Sequence, residues 1–142
     1  MELIHPELFA SSSAVQEELK KGPLTAEQAL HWESAFTCIS VISNRTSKGH
    51  RDRSGDPAWY DFLLSLGNYS NATLDFPELG VQLMYNPGTA VAFCANVFTH
   101  GVNDWQWGDR LCYAFFNKKA ILERFGRHKV GWMTMSRFRK KA

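Results

Sequence analysis

Between residues 36 and 116 the chain is cut into short apolar runs, each ended by a turn signal, and this punctuation limits it to a fold of short strands. Residues 36–43 are rich in β-branched and apolar side chains and read as a buried strand. Residues 44–49 are polar and lead into His50-Arg51-Asp52. Ser54-Gly55-Asp56-Pro57 signals a turn. Residues 59–66 form the next strand, closed by Gly67-Asn68. Residues 73–76 make a short strand broken by Pro77. Residues 81–85 alternate and form another. Asn86-Pro87-Gly88 then puts Pro and Gly at the positions of a type II turn. Residues 89–98 read as one long apolar strand, bent or bulged near Ala95-Asn96. A loop over 103–108 precedes the last strand, 109–116. Seven or eight strands at nearly even spacing predict a mainly β fold, a sandwich or a jelly roll closing as a double-stranded β-helix.

The flanks read as helical. Residues 1–10 look irregular. Ser11-Ser12-Ser13 can cap a helix over 14–21, which Gly22-Pro23 ends. Thr25 and Gln28 form a capping box for a second helix running to about Ser34. Its apolar residues Ala26, Ala29 and Leu30 would brace the outside of a sheet, and its His31 suits a surface position. After Asn117 the pattern turns helical again, with Ala120, Ile121, Leu122 and Phe125.

A chain of 142 residues holds one core and no second. We therefore expect a single domain: a helical brace over 1–35, a barrel over 36–117 and a tail over 118–142. The hydrophobic fraction of 44% is too high for a disordered chain, and its longest apolar runs are too short to span a membrane. Residues 1–10 carry acids and no basic stretch of the kind that opens a secretory signal. Cys38, Cys94 and Cys112 sit singly in apolar runs and suit reduced, buried thiols of an intracellular protein.

Charge is segregated. Residues 1–117 hold 7 Lys/Arg against 13 Asp/Glu, whereas residues 118–142 hold 9 against 1. A basic tail on an acidic body is either a nucleic-acid footprint or a solvated terminus. Phe125, Trp132 and Phe138 in that tail can stack on bases or pack on the domain.

Chemistry concentrates between His50 and Arg110. A histidine and an aspartate two apart on an extended chain point to one face. With His100 returned by a distant strand, His50 and Asp52 would complete a two-histidine, one-carboxylate set. Such a set holds non-haem Fe(II) with positions left open. Taken singly, each residue has an ordinary explanation: a surface pair, a strand-end histidine, and an arginine paired with Asp104 or Asp109. Order, separation and strand context favour one constellation instead.

These residues carry a family resemblance. His50-x-Asp52, His100 and Arg110 ten residues later resemble the signature of the Fe(II)/2-oxoglutarate-dependent oxygenases. More narrowly, the chain resembles the TET/JBP-like oxygenases of basidiomycete fungi over about residues 36–132. The runs that carry this are Asn44-Arg45 to Asp52, Trp59-Tyr60-Asp61, Tyr85 to Thr89, His100-Gly101-Val102 and Gly108-Asp109-Arg110. The resemblance implies a jelly-roll oxygenase with Fe(II) on His50, Asp52 and His100, and O2 as co-substrate. It gives Arg110 the far carboxylate of 2-oxoglutarate, a contact suited to a guanidinium fork. It further implies oxidation of 5-methylcytosine, flipped out of DNA, by an intracellular, nuclear protein. Asn44 can bond 2-oxoglutarate or cap a turn. Tyr85 can reach the cofactor or simply pack, and Asp61 can hold a ligand histidine. Trp59 suits the core better than a stacking platform.

The sequence departs from the TET pattern at the substrate side. TET-like enzymes place a polar side chain three residues after the ligand aspartate; here Gly55 stands there, with Asp56 next. They place a histidine about eight residues after the arginine; here Lys118 stands there, and the next histidine is His128. Asp56, Lys118 and His128 are therefore the candidates for substrate contact. Two further readings compete: an oxygenase acting on a protein or small molecule, and an inactive jelly roll that binds nucleic acid through its tail.

Overall fold

The computed structural model describes residues 1–22, 27 and 30–136. The order is α1 (Pro6–Lys20), β1 (Cys38–Ser43), β2 (Ser47–His50), β3 (Asp61–Gly67), β4 (Thr73–Phe76), β5 (Val81–Met84), β6 (Ala90–Phe93), β7 (His100–Val102), β8 (Arg110–Phe116) and α2 (Lys119–Arg124). Among the described residues the strands form two antiparallel four-stranded sheets, β1-β8-β3-β6 and β2-β7-β4-β5. The chain passes back and forth between the two sheets, as a jelly roll requires, and the expected mainly β fold is present.

The barrel core lies between the sheets. Its buried members include Leu63, Leu74, Phe76, Tyr85, Phe93, Val102 and Cys112. A second, smaller core joins α1 to the C-terminal segment through Leu8, Val15, Ala58, Trp59 and Leu122. Trp59 is a core residue, and its Nε1–H donates to Val130 O at 3.0 Å. Asn117 stitches the two regions together. It is buried, accepts from Thr37 N at 2.9 Å and donates to Ser12 Oγ at 3.1 Å. All three cysteines are free thiols, Cys94 and Cys112 buried and Cys38 partly so.

Several elements differ from expectation. The first helix starts at Pro6, not after the serines, because His5 caps it: its Nδ1 accepts from Leu8 N at 3.3 Å, and proline suits the first turn. Ser12 is then mid-helix, its hydroxyl satisfied by Leu8 O at 2.6 Å. β1 is only half-buried, with Val41 exposed, because it is an edge strand with β8 as its one neighbour. The polar stretch before His50 contains β2, which composition hides. The expected long strand 89–98 ends at Phe93. There Cys94 O accepts from Val97 N and Phe98 N, and the resulting turn carries the chain to the other sheet. The type II turn is present: Thr89 N donates to Asn86 O, and Gly88 has φ +89°. The capping box of Thr25 and Gln28, with Ala26 and Ala29, lies outside the described residues, as does Phe138.

Candidate metal centre

Backbone pairing brings the two histidines together. β2 and β7 are antiparallel, with His50 opposite His100, so their rings meet with centroids 4.5 Å apart. The two strands approach closely because of Gly101. A Cβ there would lie 2.8 Å from Ser47 O and 3.0 Å from Gly49 N, which only glycine avoids. Asp52 follows just past β2, its N–H held by Ala95 O at 3.0 Å. Its carboxylate reaches both rings, at 3.4 Å from His50 Nε2 and 3.8 Å from His100 Nε2. One ligand atom from each of the three residues fits within 4.8 Å of the others.

The ring chemistry suits a cation. His50 Nδ1 lies 2.9 Å from Lys48 O, and His100 Nδ1 lies 3.1 Å from Phe98 O. A carbonyl only accepts, so each Nδ1 donates its N–H there and each Nε2 is the ring atom turned toward Asp52. Burial holds His100 below the ordinary histidine value, which favours the neutral form that ligates a metal. Phe93 packs edge-on against His100 at 4.8 Å and Phe76 against Phe93 at 4.8 Å, walling the inner side. His50 and Asp52 are half exposed, which leaves the outer side open.

Arg110 opens β8 and is buried. Its Nη1 donates to Arg45 O at 3.0 Å, and its guanidinium sits 5.5 Å from the Tyr85 ring and 5.7 Å from the Trp105 ring. Nε has no partner. Among the described residues no carboxylate is within ion-pair distance, so pairing with Asp104 or Asp109 is not what holds it. A buried guanidinium with no carboxylate partner among the described residues is the structural observation that fits an anionic ligand. Nothing in the sequence pointed to Trp105 as its neighbour.

The softer candidates fall apart from the triad. Asn44, at φ +47°, caps a turn: Oδ1 accepts from Arg110 N and Nδ2 donates to Asp109 Oδ1, both at 2.7 Å. Tyr85 is fully buried, its hydroxyl 3.3 Å from Cys112 Sγ and pushed well above its ordinary pKa by burial. Asp61 holds neither histidine, since both Nδ1 atoms lie on backbone carbonyls. Asp56 pairs with Lys119 at 3.0 Å and accepts from Ala58 N at 3.2 Å. Lys118 is exposed just before α2, and His128 is partly buried with Nδ1 unpartnered.

The sequence matches the family model Tet_JBP, the oxygenase domain of the 2OGFeDO superfamily, over residues 1–119. Among solved structures it is similar to NgTET1 in complex with 5mC DNA, with a TM-score of 0.54 and 18% identity. That match covers 76% of this chain and 43% of the other, so the likeness is one of fold and this chain spans less than half the length of that one. No curated protein matches the sequence.

Proposed function

The chain belongs to the Tet_JBP family and carries the oxygenase domain of the 2OGFeDO superfamily, and on that premise we propose that it is an Fe(II)- and 2-oxoglutarate-dependent dioxygenase acting on a methylated base in DNA, foremost 5-methylcytosine. The observation that carries the reading is the convergence of His50, Asp52 and His100 within 4.8 Å. The fold shared with a protein solved on 5mC DNA supports the choice of substrate. The narrower likeness to the basidiomycete group, and a nuclear location, go with it. So does the division into brace (1–35), barrel (36–117) and basic tail (118–142).

In this reading the chain's own residues do four things. His50 and His100 offer their Nε2 atoms, with each Nδ1–H donated to a backbone carbonyl, Lys48 O or Phe98 O. Asp52 supplies the negative charge. Arg110 takes the far carboxylate of 2-oxoglutarate, with Tyr85 and Trp105 shaping the space beside it. Asn44 serves the cofactor indirectly, by fixing the backbone of Arg110. The iron, when bound, supplies the redox chemistry by which dioxygen and 2-oxoglutarate oxidise a C–H bond. Phe93 and Phe76 keep the inner side dry, while the half-exposed side of His50 and Asp52 admits a flipped base.

A second reading is the same oxygenase on a protein or small molecule. What favours it is Gly55, where a base-reading side chain is expected. A Cβ there would sit 3.3 Å from Asn117 O, against a packed backbone. Incubating 5-methylcytosine DNA with the protein, Fe(II), ascorbate and 2-oxoglutarate separates the two. Mass spectrometry should find 5-hydroxymethylcytosine. Succinate without base oxidation would shift the assignment to the second reading, and neither product would count against both.

A further inference from the structure

The two chain segments that carry the triad are tied together from behind by one carboxylate. Arg51 lies between His50 and Asp52, and Thr99 precedes His100. Because His50 is opposite His100 in the antiparallel register, Arg51 comes opposite Thr99 on the outward face. Glu78, on the 3-10 turn Pro77–Leu79 that follows β4, reaches both. It accepts from Arg51 Nη2 at 2.7 Å and from the Thr99 hydroxyl at 2.5 Å. The Thr99 N–H reaches its two oxygens at 3.2 and 3.1 Å. Arg51 Nε closes the ring onto Thr99 Oγ1 at 3.3 Å.

The ladder alone holds this end loosely. β2 and β7 are in register at Ser47–Val102 and at His50–His100, with an irregularity between, and Asp52 lies past the strand end. We propose that Glu78 is a positioning residue of the metal centre, clasping Arg51 and Thr99 so that His50, Asp52 and His100 keep their spacing before a cation binds. The inference rests on the metal-centre reading above. Arg51, and then Thr99, hold the Glu78 carboxyl down to about 2, so the clasp stays charged through neutral and mildly acidic solution.

The test is Mn(II) affinity and the Co(II) absorption spectrum of the whole chain, alongside its metal-free melting temperature. Glu78→Ala should weaken Mn(II) binding at least about tenfold, as loss of a partner behind metal ligands does, and alter the Co(II) bands. Glu78→Gln, which still accepts from Thr99, should recover part of the affinity. The metal-free melting temperature should barely move, because the clasp is solvent-accessible. Glu17→Gln, which removes an exposed pair with Lys20 on α1, should leave both readouts unchanged. If Glu78→Ala does not fold, Arg51→Met decides: a several-fold fall in Mn(II) affinity supports the clasp, and unchanged affinity overturns it. Affinity of Glu78→Ala within twofold of the parent overturns the clasp and leaves the metal centre standing. A parent chain that binds no Mn(II) removes both.

Discussion

A guanidinium buried among aromatic rings with no carboxylate beside it is costly to keep, so Arg110 is where the cofactor proposal is most exposed to test. Removing the charge removes the recognition of an anion without touching the triad. Arg110→Ala should raise the 2-oxoglutarate concentration needed for half-maximal turnover by about a hundredfold, the loss expected of a buried charge-assisted contact. Mn(II) affinity in the absence of 2-oxoglutarate should stay within a few-fold, because Arg110 contacts none of His50, Asp52 or His100. Arg110→Lys should recover little, since an ammonium lacks the planar fork. Equal 2-oxoglutarate requirements in Arg110→Ala and the parent would place the cofactor elsewhere.

At the scale of the element, β3 shows how inward positions mix packing with chemistry. Asp61, Leu63 and Ser65 alternate inward and are buried. Burial first, and the nearby Asp52 second, push the Asp61 carboxyl up from 3.8 to about 8. The folded chain keeps this proton where the unfolded chain has given it up. Its stabilising contribution is therefore whole below about 4, declines as pH rises toward 8 and is flat above. The swing is on the order of a few kcal/mol. Denaturant melts of the metal-free protein should show stability falling between pH 5 and 8, and Asp61→Asn should flatten that fall. A parallel fall in both proteins would assign the pH dependence to other groups. None of this is legible in the sequence, where Asp61 suggests a support for a ligand histidine and not a buried acid that keeps its proton. What the sequence does carry is periodicity and punctuation. The strands at 61–67, 73–76 and 110–116 stand within two residues of expectation because turn residues bracket them. Exposure was not legible: β1 is as apolar as a central strand, and its edge place follows from sheet order. Likewise His50 and His100 could be paired by residue type and separation. Their partners Lys48 O and Phe98 O, and the clasp on Glu78, depend on register and so on the fold being formed.

Across the whole molecule the charge asymmetry acquires a location. The described part of the basic segment, residues 118–136, is fastened beside the site. Lys119 N donates to Ser54 O and Lys119 Nζ pairs with Asp56, which fastens α2 to the loop that follows Asp52. Phe125 and Val130 pack on the core shared with α1, leaving Arg124, Arg127 and Lys129 exposed on the outside. If DNA is the substrate, those three are free to meet its phosphates. Phosphate contacts release counterions, so each contributes about 0.9 to the slope of log affinity against log salt. Replacing Arg124, Arg127 and Lys129 together by Gln should lower duplex affinity at low salt and flatten the slope by about two to three. It should also leave the melting temperature and Mn(II) affinity unchanged, because the side chains are exposed and away from the triad. Fluorescence anisotropy of labelled duplex across a salt series reads the slope directly. A slope identical to the parent's would mean these cations only solubilise the domain, and that any nucleic acid bound by this protein meets it on another face.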